Sequence, residues 1–136
     1  MELIHYEKDI VTGELFEDIT HLIEQSRRKV ASTVNQEITL LYWNIGKLID
    51  NKILESERVS YGEQIRATLS HKLTMAYGKG FTISALSRMV NFYKLFNDEK
   101  SIVMLSQKLS WSHFLELITI EEPLKREYYI EITGIR

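Results

Sequence analysis

The chain has 136 residues, 44% of them hydrophobic and 26% charged, with a formal net charge of −2 at pH 7. That composition suits one globular domain of ordinary size and excludes wholesale disorder. One proline and six glycines leave too little turn material for a sandwich or barrel, so an all-α fold is expected. With no cysteine, disulfides, zinc–thiolate sites and cysteine nucleophiles are excluded, which fits a reducing cytoplasm. No apolar run reaches the roughly 18 residues of a membrane span, and the acidic start over Met1–Ile10 does not read as a signal peptide.

Helical spacing begins after Thr12-Gly13 and continues to about Leu54. Leu15, Ile19, Leu22, Val30, Val34, Ile38, Leu41, Ile45 and Leu48 recur in steps of three or four, with Ser26 filling one slot. About 40 residues in one helix would span about 60 Å, roughly twice the width of a compact body of this size. The helix therefore either breaks near Ala31–Gln36 or carries a first half that needs a partner, most simply a second copy. Leu15, Ile19, Leu22 and Val30 are the expected homodimer contacts. Gly46 lies in the densest apolar stretch, where glycine costs about 1 kcal/mol against alanine. Close approach of a neighbouring helix is the expected reason.

A polar connection over Asn51–Val59 marks a weak boundary near residue 55. Ser60 and Glu63 match a capping box, opening a helix that packs Ile65, Leu69, Leu73 and Ala76. Tyr77-Gly78-Lys79-Gly80 ends it, and Thr82 caps the next helix, Ile83 to about Phe96. Asp98 caps a short helix through Leu105, and Ser110 caps another from Trp111 to Ile118. Pro123 starts a last helix that Gly134 would stop. The expected organisation is one domain, 1–136. Within it, 14–54 form a long helix or helix pair, 60–97 a helix-turn-helix-like unit, and 98–134 the C-terminal helices. Its core should contain Leu41, Ile45, Leu69, Leu86, Met89, Tyr93, Phe114 and a largely buried Trp111.

Charge is unevenly distributed along these elements. Residues 1–57 balance to −5, residues 58–108 to +5, and residues 109–136 to −2. The basic middle contains the two helices joined by the glycine-rich turn, which is the outline of a helix-turn-helix. The second of them should bury Leu86, Met89, Val90, Tyr93 and Phe96 and present Ser84, Ser87, Arg88, Asn91 and Lys94. Arginine can pair with a guanine edge, asparagine with adenine, and serine and lysine with phosphates. Arg66, Lys72 and Lys79 are expected near a DNA backbone. A solvated helix face has a similar composition, so a self-association or protein-docking module without nucleic-acid contact is the alternative.

No catalytic constellation emerges. His5, His21, His71 and His113 show no paired metal-ligand spacing, and no metal or other cofactor is expected. Ser112-His113 lack a third orienting group and read as helix-start residues. Gly78-Lys79 fails as a phosphate loop, because Leu73 stands where the earlier glycine is required.

Three stretches together carry a resemblance. They are Leu41-Tyr42-Trp43-Asn44-Ile45-Gly46-Lys47, then Tyr61-Gly62 through Tyr77-Gly78-Lys79-Gly80-Phe81-Thr82 to Met89–Tyr93, and Leu109-Ser110-Trp111-Ser112-His113-Phe114. In this order they resemble the N-terminal domain of the YhcG-like bacterial proteins, over about residues 35–133. In that family the helical domain precedes a PD-(D/E)XK nuclease domain and is regarded as a DNA-binding module. The sequence departs from the pattern at Ala85 and Val90, where members often carry asparagine and a basic residue. No Asp…Glu-x-Lys constellation is present in the 136 residues. The resemblance therefore implies a targeting or assembly module, serving a nuclease in cis or in trans, and no cleavage by this chain alone.

Overall fold

The computed structural model describes residues 2–54 and 59–135, with side chains described at 7, 9–54 and 62–133. The described residues form six helices and no strand: α1 (Glu2–Leu54), α2 (Val59–Tyr77), α3 (Ile83–Leu95), α4 (Glu99–Ser106), α5 (Trp111–Leu117) and α6 (Pro123–Ile135). The all-α expectation, with its long N-terminal helix, is borne out.

Two compact units divide between Val34 and Asn35, inside α1 and well before the weak boundary expected near residue 55. Helix α1 shows no break over Ala31–Gln36 and begins before Gly13, not after it. A glycine in a solvated helix costs only about 1 kcal/mol, which its neighbours can supply. Nothing lies within 4 Å of a Cβ built at Gly13. In the first unit every described side chain is exposed, Leu15, Ile19, Leu22 and Val30 included.

In the second unit, residues 35–136, two apolar clusters form the core. One gathers Trp43, Phe92, Ile102, Leu109, Phe114, Leu117 and Ile118. The other gathers Ile49, Leu86, Met89 and Val90, with Ile65, Leu69 and Leu73 of α2 packed on it. Trp111 touches both. Helix α2 packs on α3, α3 on α5, and α5 on α6.

The face that α1 buries differs from the expected one. Thr39, Trp43, Gly46, Ile49 and Asp50 are buried, while Leu41 and Leu48 are 52% and 72% exposed. This stretch is apolar on most sides, so periodicity alone leaves two possible faces. Tryptophan's area and the gap at Gly46 select the one that buries more and packs closer. A Cβ at Gly46 would overlap the Met89 carbonyl of α3, so the helices cross there as the sequence led us to expect. Thr39 is buried without an energetic penalty, because its hydroxyl donates to the Asn35 carbonyl at 2.8 Å.

Aromatic side chains hold α1, α3 and α5 together. Phe92 lies 4.7 Å from Phe114, 5.0 Å from Trp111 and 5.7 Å from Phe96, ring centre to ring centre. Such offset and edge-on pairs add about 0.5–1.5 kcal/mol beyond area burial. Trp43 is the buried indole, and its Nε1–H donates to the Phe96 carbonyl at 2.7 Å. That carbonyl belongs to the C-cap residue of α3, so the indole N–H satisfies an acceptor at a helix end where helical donors are lacking. Trp111, expected to be largely buried, is not fully enclosed but packs against both clusters.

Helix boundaries follow their caps. The Thr82 hydroxyl accepts the Ala85 N–H at 3.1 Å, and Gly78 and Gly80 adopt positive φ in the preceding turn. The expected Ser60 cap involves a side chain outside the described residues. The Ser110 N–H donates to His113 Nδ1 at 3.0 Å, one half of a capping box, so His113 is a helix-start residue as expected. Pro123 opens α6, but Gly134 does not stop it.

Asp98 caps α4, accepting the Ser101 hydroxyl at 2.7 Å and the Ser101 N–H at 3.2 Å. These bonds, the hydroxyl first, hold its carboxyl below the ordinary value of 3.8. The folded value lies below the unfolded one, so the contribution is present above the unfolded pKa and is lost as pH falls through the folded pKa. Asparagine caps without titrating. The stability difference between the native chain and Asp98→Asn should therefore shrink toward acid below about pH 4, as urea melts at stepped pH would show.

Candidate nucleic-acid interface

The polar face expected on α3 divides between two surroundings. Arg88 and Asn91 line a cleft of about 570 Å³ with Leu95, the α5–α6 connection from Ile118 to Glu121, and Arg126 at the start of α6. Both are exposed, as is Ser84, and Ser87 is half-buried. Lys94 is engaged elsewhere: its Nζ lies 3.6 Å from Oδ1 of Asp50, a carboxylate only 8% exposed on α1. A charge that deep in the fold is costly without a counter-ion, so part of what Lys94 does is structural.

Arg126 is the residue that sequence reasoning missed. Its Nη2 donates to the Ile120 carbonyl at 2.7 Å, which fixes the guanidinium across the α5–α6 connection. Its Nε is buried with no partner among the described residues. A guanidinium offers five N–H donors in a planar fork matched to carboxylate and phosphate oxygens. Arg126 also sits in the first turn of α6, where the helix dipole disfavours a cation. That placement is the signal the sequence held.

The remaining expected contacts are distributed over α2 and its turn. Arg66 is half-buried, and Lys72 and Lys79 are exposed. A second cleft, of about 540 Å³, lies between α1 and α2 and is lined by Leu48, Ile49, Lys52, Gln64, Ile65, Thr68 and Leu69. Its walls are mostly apolar, unlike those of the arginine cleft. Among the described residues, no group of three His, Asp or Glu side chains could hold a metal ion, and no helix is long and apolar enough to cross a membrane.

The class defined by these features is an all-α domain whose α1–α3 crossing at Gly46 positions a cleft walled by two arginines. The chain belongs to the DUF1016 N-terminal domain family, whose model matches residues 18–135. It is also 32% identical over 88 residues to "Putative nuclease YhcG" of Escherichia coli (strain K12). That match covers 61% of this chain and 22% of the relative, so the chain spans well under two thirds of that protein's length. No solved structure matches. The resemblance to the YhcG-like N-terminal domain is thereby borne out.

Proposed function

We propose that this chain is a DNA-targeting module of a nuclease-associated protein, with the cleavage chemistry in a separate domain in cis or in trans. The observation that carries the reading is the cleft walled by Arg88, Asn91 and Arg126, in which the Arg126 Nε is buried without a partner among the described residues. Two guanidiniums and a carboxamide suit a phosphate and an adjoining base edge. The helix-turn-helix outline of α2 and α3 and the +5 balance of residues 58–108 support it. Arg66, Lys72 and Lys79 would approach the backbone, Ser84 and Ser87 the phosphates beside α3, and Lys94 contributes while paired to Asp50. The domain needs no cofactor for this role, and the reading places it in the cytoplasm with the DNA.

Fluorescence anisotropy with a duplex tests the proposal. Four phosphate contacts predict that log K falls with log salt at a slope of roughly −3 to −4. Arg88→Ala should weaken binding by about 1–3 kcal/mol if Arg88 reads a base, and by a smaller, sequence-independent amount if it touches phosphate. Absence of binding at low salt, or binding indifferent to Arg88→Ala and Arg126→Ala, would leave the protein-docking reading standing.

A further inference from the structure

We infer that the first unit of α1 pairs with the same segment of a second copy in antiparallel orientation, centred near Leu22. The reading rests on residues 14–34 and is independent of the arginine cleft.

Leu15, Ile19, Leu22 and Val30 recur at helical spacing and are 55%, 53%, 63% and 60% exposed. Ile23, next to Leu22, is exposed too. A single solvated helix gains nothing from these side chains, and most helical stability in proteins comes from packing an amphipathic face. Among the described residues of this unit none is buried.

Charge selects the occupant and its direction. Residues 9–24 hold Asp9, Glu14, Glu17, Asp18 and Glu24 with no lysine or arginine, and Arg27-Arg28-Lys29 follow directly. A parallel pair would place five carboxylates level with five carboxylates and three cations level with three cations. Antiparallel pairing about Leu22–Ile23 reverses both. Asp18 then lies level with the partner's Arg27, and the acidic block of each helix runs beside the basic block of the other. The same register sets Leu15 level with the partner's Val30 and Ile19 level with the partner's Ser26, so the stripe still covers itself. One helix thus carries an acidic block and a basic block on either side of its own midpoint, a pattern complementary to its own reverse.

Sedimentation equilibrium of the full chain at tens of micromolar should give twice the 16.0 kDa chain mass. Leu22→Glu should return it to the single-chain mass while the thermal melt of the second unit stays unchanged, since Leu22 lies outside that core. Orientation is read by disulfide trapping, which the absence of native cysteine keeps clean. A mixture of Leu15→Cys and Val30→Cys chains should yield the mixed disulfide under glutathione oxidation. A single-chain mass for the native protein, or a dimer indifferent to Leu22→Glu, overturns the pairing. Trapping of only 15–15 and 30–30 products overturns the antiparallel direction.

Discussion

Trp43→Ala is expected to destabilise the second unit by about 3–5 kcal/mol. The indole is 1% exposed at the centre of the larger cluster and stacks edge-on against Tyr93 at 5.3 Å. Its loss opens a cavity and also strands the Phe96 carbonyl that its N–H satisfies. Thermal melts followed by circular dichroism should show Tm lowered by on the order of 10–20 °C. Trp43→Phe separates the two contributions, because it keeps much of the area but removes the donor. Trp111→Ala should cost less, since Trp111 is only half-buried. Equal effects at Trp43 and Trp111 would contradict this packing.

Gly46→Ala should destabilise by about 3 kcal/mol, the upper part of the usual range for overpacking. Alanine is the better helix former by about 1 kcal/mol, so helical propensity predicts the opposite sign. The added methyl, however, meets the Met89 carbonyl and the Val90 nitrogen, which are backbone atoms and cannot rotate aside. Helix α3 must then move from α1, loosening Ile49, Leu86 and Met89 together. Gly13→Ala is the matched control, since open space surrounds that position. It should raise helicity slightly and leave the main transition in place. A stabilised Gly46→Ala protein would show that the two helices do not cross where described.

Both substitutions bear on the candidate site, because α1 is the support on which α3 is held. A shift of α3 would displace Arg88 and Asn91 from Arg126 without touching any of the three. On the proposed DNA-targeting role, loss of binding in Gly46→Ala is therefore expected to accompany loss of stability. Arg88→Ala, at an exposed position, should affect binding alone.

The sequence by itself determined the elements and much of their punctuation. One proline, few glycines and three-to-four spacing leave only helices, and Thr82, Asp98, Ser110 and Pro123 mark starts that local hydrogen bonds or ring geometry enforce. Gly46 disclosed a helix crossing, because an expensive residue in a helix interior requires a neighbour. Arg88 and Asn91 were legible as a polar face of α3. Tertiary structure alone decided which face of α1 is buried, since a stretch apolar all round has no unique inward direction until α3 fits the gap at Gly46. It also decided that Lys94 pairs with Asp50, 44 positions away, and that Arg126 joins Arg88 across the α5–α6 connection. Local periodicity reports one helix at a time, whereas a cleft is a property of helices brought together.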